Sequence, residues 1–204
     1  MIELLHCDCM EYMATVPDKY FDLACVDPPY GIKNMNAGGR GMNRWIDWEK
    51  KGWDDAAPDK KYFEELTRIS KNQIIWGGNY FDLPPSKCWI IWDKGQRDFS
   101  LADGEMAWAS FDKAMRIFEL SRGAASTETK IHPTQKPIRL YEWILSKFAK
   151  KGQRVFDSHL GSGSSAIAAH YFGVDFVGTE LDKDYFDAAK ARFDMATRQL
   201  AMSI

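Results

Sequence analysis

Apolar residues are spaced along this chain in two ways, and the two alternate. Ile2 to His6, Asp22 to Val26, Gln73 to Trp76, Trp89 to Trp92, Arg154 to Asp157 and Val174 to Thr179 are short runs rich in aliphatic and aromatic residues. They are too brief for helices, which predicts strands. Trp89 to Trp92 is almost wholly apolar and is expected to lie centrally in a sheet. Glu105 to Phe111 and Met115 to Leu120 predict two further strands, forming a hairpin at one sheet edge. Elsewhere the apolar positions return at helical intervals. Cys9 to Thr15, closed by Pro17, predicts a short helix. Asp59 to Lys71 carries Tyr62, Phe63, Leu66 and Ile69 on one face and predicts a longer one. Another runs from about Ile138 to Lys150, and a last helix carries Tyr185, Phe186, Ala189 and Phe193. Gly31 to Pro58 keeps no period and predicts a long loop, of a length that is usually functional or disordered.

The second strand ends in Asp27-Pro28-Pro29-Tyr30. The prolines fix their own φ angles, lack N–H groups and push the preceding residues towards extended geometry, so the Asp27 carboxylate and the Pro28 carbonyl become fixed acceptors. Two acceptors beside the ring of Tyr30 suit an amino group on a planar base: each takes one amino hydrogen while the ring stacks. Such an amine is a poor nucleophile, because its lone pair is delocalised into the ring. Drawing on both hydrogens favours the pyramidal, reactive form, provided an electrophile waits opposite. An isolated Asp-Pro-Pro would more simply end a strand; here remote features add to it.

The strand Arg154 to Asp157 leads into Leu160-Gly161-Ser162-Gly163-Ser164-Ser165, which opens a helix rich in alanine. A glycine turn between strand and helix lets a ligand approach the backbone. Glu180 ends the next strand 19 positions after Gly161, near the offset at which an acid bonds ribose hydroxyls. Together these predict a nucleoside site. The Lys-Ser/Thr ending of a triphosphate loop is missing.

Composition narrows the partners. The chain has 204 residues, 45% of them hydrophobic, and shows no internal repeat, which suits a single domain over 1–204. A formal net charge of -2 gives no global basic field, so nucleic acid must be held by local patches. Two segments qualify. Arg40 and Arg44 lie in the long loop with Trp45 and Trp48 but also with Asp47 and Glu49, so a mobile loop without a partner is the competing reading. Lys113, Arg116, Arg122, Lys130, Lys136 and Arg139 form the most basic stretch. No apolar run reaches the ~20 residues of a membrane helix, so a soluble cytoplasmic protein is expected. Cys7, Cys9, Cys25 and Cys88 lack zinc spacing and read as reduced thiols, with no metal site.

The catalytic turn, the basic segment, the hexamer His132-Pro133-Thr134-Gln135-Lys136-Pro137, the glycine turn and the acid, in that order, resemble the DNA amino-methyltransferases, in the subgroup whose Asp-Pro-Pro-Tyr precedes the cofactor half. The resemblance implies a three-layer α/β sandwich, mostly parallel with an antiparallel edge, and an active site at the C-terminal ends of the strands. It implies S-adenosylmethionine as cofactor, held by Asp8, His132, Thr134, Lys136, Asp157, Gly161, Ser162, Gly163 and Glu180. Asp8 serves equally well as a helix N-cap. Asp27, Pro28, Pro29 and Tyr30 would be catalytic, and Arg40, Arg44, Arg116 and Arg122 would contact double-stranded DNA. Asp at position 27 favours adenine-N6 over cytosine-N4 as the target. Ser158 and His159 stand where the family has Pro and Phe, which motivates the alternative of a donor-binding but inactive DNA-binding protein. A homodimer and a cognate restriction endonuclease are compatible with either reading and are not read from any residue.

Overall fold

The computed structural model describes residues 1–32, 56–97, 102–125 and 130–198. Within them, eight strands form one sheet: β1 (Ile2–His6), β2 (Phe21–Val26), β3 (Ser70–Trp76), β4 (Cys88–Asp93), β5 (Gly104–Ala109), β6 (Arg116–Glu119), β7 (Arg154–Asp157) and β8 (Asp175–Glu180). Their spatial order is β1-β8-β7-β2-β3-β5-β4-β6. Only the two pairings of β5, with β3 and with β4, are antiparallel. The other neighbours pair in parallel.

The helices are α1 (Cys9–Thr15), α2 (Lys60–Ile69), α3 (Arg122–Ala125), α4 (Ile138–Phe148), α5 (Ser164–Phe172) and α6 (Lys183–Arg198). Local chemistry explains where several begin. Asp8 caps α1 by accepting from the Met10 N–H at 2.6 Å, and Asp59 caps α2 by accepting from the Tyr62 N–H at 3.1 Å. Pro137 sits at the cap position of α4 rather than inside its first turn. Gly163 and Gly173, both left-handed, bracket α5, whose residues 164–169 are all buried. A helix that deep needs the small side chains Ser164, Ser165, Ala166, Ala168 and Ala169 to pack between layers.

Strand β2 shows how the layers form. Leu23 and Cys25 point into a core shared with Ile74, Trp76, Leu140, Ile144 and Ala169, while Ala24 and Val26 point into a second core with Met13, Tyr62, Leu66 and Phe156. A strand buried on both faces reads as a continuous apolar run because both faces need filling. The expected three-layer α/β sandwich with a mostly parallel sheet is therefore the observed one.

Two local expectations are corrected. The strands from Glu105 and from Met115 do not form a hairpin: β4 lies between them, and β6 pairs with β4 in parallel. The antiparallel pairs thus lie towards the β6 edge, with β5 inside the sheet rather than on its rim. β4 is not central either. It neighbours the edge strand, and its burial alternates, because only one face is fully covered there.

The single reversal has a consequence for chemistry. β1, β2, β3, β4, β6, β7 and β8 all end at the same side of the sheet, and reversed β5 begins there, with Glu105 opposite Trp92. Seven strand ends and one strand start therefore deliver their following or leading residues to one rim.

Candidate active site at the rim of the sheet

Asp27 follows β2 at this rim, and both of its carboxylate oxygens are engaged. Oδ1 accepts from the Tyr30 hydroxyl at 2.7 Å, and Oδ2 accepts from Lys136 Nζ at 2.5 Å. The Lys136 side chain is only 3% exposed, and its ammonium also lies 3.3 Å from Glu105 Oε2 and 5.0 Å from the centroid of the Trp76 ring. Glu105 Oε1 in turn accepts from Lys94 Nζ at 2.6 Å. Charges therefore alternate along Lys94, Glu105, Lys136 and Asp27. Burial by itself would lower the Lys136 ammonium, but Asp27 and Glu105 outweigh it and hold the pKa above the ordinary lysine value. Burial likewise opposes ionisation of Glu105, and Lys136 and Lys94 outweigh it, holding its carboxyl below the ordinary range. This part of the site is locked as paired ions.

Tyr30 is fixed by packing as well as by its hydroxyl. Gly77, at φ +69°, presses its backbone on the ring, where an added Cβ would fall 2.2 Å from Tyr30 Cε1. Only glycine fits such an approach. Phe81 meets Tyr30 edge-on at 6.1 Å, and Tyr80 stacks on it with centroids 5.0 Å apart and planes at 16°.

The glycine turn follows β7 on the same rim. Asp157 is buried, with Oδ1 accepting from the His159 N–H at 3.1 Å and Oδ2 from Ser165 Oγ at 2.6 Å. Burial pushes its carboxyl up to about 7 despite those bonds. Glu180 clasps the turn: Oε2 accepts from the Gly161 N–H at 2.9 Å and Oε1 from the Asp182 N–H at 3.0 Å. Gly161 and Gly163 differ. A Cβ on Gly161 would meet nothing closer than 3.9 Å, whereas one on Gly163 would press on Ala189 of α6 at 3.3 Å. At Gly163 the missing side chain makes room for α6. Ser162 bonds Ser164 through their hydroxyls, beneath the Arg192 guanidinium that donates to the Ser162 carbonyl.

Ser158 and His159 are built into the scaffold. The Tyr62 hydroxyl and Ser158 Oγ share a 2.6 Å hydrogen bond, and Ser158 Oγ lies 2.8 Å from His159 Nδ1. The imidazole packs against Tyr62 at 5.6 Å, and burial lowers its pKa to about 4. It is a neutral aromatic at neutral pH.

The hexamer spans the two halves. His132 packs against Tyr185 at 4.4 Å, its ring carbons face Gly161, and Thr134 Oγ1 lies 3.2 Å from its Nδ1. Burial, then Lys136 and Lys130, lower the His132 pKa to about 4. Lys136 reaches the other way, to Asp27, rather than over the glycine turn. Asp8 caps α1 just after the β1 end that pairs with Glu180.

The basic segment does not form one face. Arg116 opens β6 opposite Ile90, at the far end of the sheet, and Lys113 there donates to the Lys147 carbonyl. Arg122 follows the C-terminal end of β6 and is exposed at the rim. Arg40 and Arg44 lie outside the described residues. Sequence reasoning missed Lys94, Glu105 and Tyr80. Charged residues flanking apolar strands, Lys94 after β4 and Glu105 at the start of β5, were the available signal.

A mostly parallel sheet covered on both faces, with an acid-and-aromatic turn beside a glycine turn, suits a nucleoside-using group-transfer enzyme. The comparisons with known proteins sharpen that class: the family model described as DNA methylase, of the N6/N4 type, matches residues 84–191, and the chain belongs to this family. It is 25% identical over 242 aligned positions to the Type II methyltransferase M2.DpnII of Streptococcus pneumoniae, covering 94% of this chain and 89% of that protein. Type II methyltransferase M2.LlaDCHI of Lactococcus lactis subsp. cremoris is 22% identical, covering 94% and 88%. Among solved structures, the M1.HpyAVI–SAM complex superposes with a TM-score of 0.61 at 22% identity, covering 94% of this chain and all of that one. PvuII DNA methyltransferase, cytosine-N4-specific, superposes with 0.60 at 12%, covering 97% and 90%.

Proposed function

We propose that this chain transfers a methyl group from S-adenosylmethionine to the exocyclic amine of adenine in double-stranded DNA. The observation that carries the reading is the Asp27 carboxylate, set at the rim beside a proline-fixed carbonyl and gripped by Tyr30 and Lys136. Each carboxylate oxygen keeps a second lone pair, so both present grips leave room for an amino hydrogen. The donor half fits a cationic nucleoside. Gly161 is open, Glu180 lies at ribose distance along the chain, and the two imidazoles are neutral and so do not repel a sulfonium. When bound there, S-adenosylmethionine supplies an electrophilic methyl group.

The target base must leave the helix stack to bring its amine to Asp27. Asp27 and the Pro28 carbonyl then take one amino hydrogen each, and Tyr30 stacks on the ring. Lys136 holds the carboxylate in place through the reaction, so the acceptor is aligned before the base arrives. Alignment and fixed charge supply the rate. The test is transfer of labelled methyl from S-adenosylmethionine to DNA from a methylation-deficient bacterium, followed by nucleoside analysis. N6-methyladenine supports the reading, N4-methylcytosine moves the target, and tight DNA and donor binding without transfer identifies the inactive binding protein.

A further inference from the structure

We propose that Tyr80 is the second stacking wall of the base site, so that the extruded base enters between Tyr30 and Tyr80. The inference rests on the DNA amino-methylation reading above and adds a residue to it.

The turn bearing Tyr80 is held tightly on every side except at that side chain. Gly77 N–H donates to the Met106 carbonyl at 2.9 Å, and Tyr80 N–H donates to the Gly77 carbonyl at 2.8 Å. Gly78 lies so close to Trp108 that a Cβ would fall 2.4 Å from the Trp108 Cβ. Phe81 packs against both Tyr30 and Phe63. Yet Tyr80 itself is 49% exposed, and among the described residues its hydroxyl makes no hydrogen bond. A rigid backbone thus holds out a large aromatic ring whose ring contact, among the described residues, is a parallel stack on Tyr30.

The two rings differ in freedom. Tyr30 is pinned by Asp27, Gly77 and Phe81, so Tyr80 is the ring that moves. Their 5.0 Å centroid separation admits nothing between them. A base contacting both faces needs the planes about 7 Å apart, twice the ~3.5 Å contact distance of carbon atoms. Rotation of the exposed Tyr80 side chain supplies that opening and leaves the backbone in place. Before DNA arrives, Tyr80 covers the apolar face of Tyr30; afterwards one tyrosine–tyrosine stack is exchanged for two base–tyrosine stacks. Stacking tolerates any base, so Tyr80 stabilises the extruded state, while Asp27 handles the amine.

The experiment compares wild type with Tyr80→Ala, Tyr80→Phe and Tyr80→Trp on methylation-free genomic DNA, with donor affinity by calorimetry and thermal unfolding as controls. Tyr80→Ala is expected to lower kcat/KM for DNA by roughly 5- to 100-fold, the span that one lost base–aromatic stack covers. Donor affinity should stay within about twofold. The Phe and Trp variants, which keep the stacking face, should retain most of the activity. On a duplex carrying 2-aminopurine at the target position mapped with the wild-type protein, fluorescence should be quenched by wild type and brighter with Tyr80→Ala. An inactive wild type would overturn the methylation reading itself. An active wild type with Tyr80→Ala equally active, or faster because an obstruction was removed, would overturn the wall alone.

Discussion

The two halves of the site handle buried ionisable groups in opposite ways. Around Asp27 every charge has a partner: Lys94, Glu105, Lys136 and Asp27 alternate within hydrogen-bond or ion-pair distance. Around the glycine turn burial instead disfavours charge, holding His132 and His159 near 4 and Asp157 near 7. The difference matches what the proposed methyl transfer asks of each half. An acceptor that directs an amine has to stay fixed and charged, whereas a surface that receives an aromatic nucleoside gains from neutral, polarisable walls. Residues 132–136 join the two regimes, with a neutral imidazole at one end and a locked ammonium at the other.

Removing the acceptor breaks the contrast most sharply. Asp27→Ala should reduce methyl transfer by at least ~100-fold, the order seen when one positioned polar group at a reacting centre is lost, with donor affinity by calorimetry almost unchanged. Retained turnover within tenfold would reject the acceptor role. Next in size is Lys136→Met, which leaves Asp27 and Glu105 without their shared cation. Stripping one partner from a buried pair costs about 3–5 kcal/mol. Chemical denaturation should show it, and kcat should fall more than donor affinity in whatever fraction remains folded. A variant that kept both stability and rate would show that the ion pair is incidental.

The two glycines provide a finer cut through the donor half. Gly163→Val forces a β-branched residue into φ +74° against Ala189, so the loss should appear first in thermal stability and only secondarily in donor binding. Gly161→Ala meets no close neighbour, yet its added methyl faces His132. It should weaken the donor while moving the melting temperature by only a few degrees.

The pH dependence follows from the neutral half. The lowered histidines bind fewer protons folded than unfolded, so their stabilising contribution is complete above about pH 6.5 and is lost as pH falls towards 4. Asp157 acts in the opposite sense: its raised pKa favours the fold below about 4 and forfeits that as pH rises to about 7. Replacing His132 and His159 with Phe should therefore remove the acid loss and leave a protein more stable at pH 5 than at pH 7, as read by melting temperature. The smallest expected effect concerns DNA. Arg122→Gln, at the rim, should flatten the log–log salt dependence of DNA affinity by about one unit, and Arg116→Gln, at the far end of the sheet, by less. Equal effects from both would place the DNA across the β6 edge instead.

Much of this architecture was legible in the chain itself, for local reasons. Strands such as Arg154–Asp157 and helices such as Cys9–Thr15 are set by side-chain period, capping acids and prolines, all of which act within a few residues. The turn after β2 was legible too, because Pro28 and Pro29 dictate their own geometry. What only the tertiary structure decided depends on strand order. Nothing in the sequence from Glu105 to Glu119 reveals that β4 enters between β5 and β6, since the pairing is a choice among several apolar strands of similar length. That choice brings Glu105 to the rim. The same holds for Lys136, which meets Asp27 across 109 positions, and for Tyr80, which lands on Tyr30 because β3 pairs with β2 in parallel. Periodicity reports which face of an element is buried; it does not say which distant side chain will be waiting there.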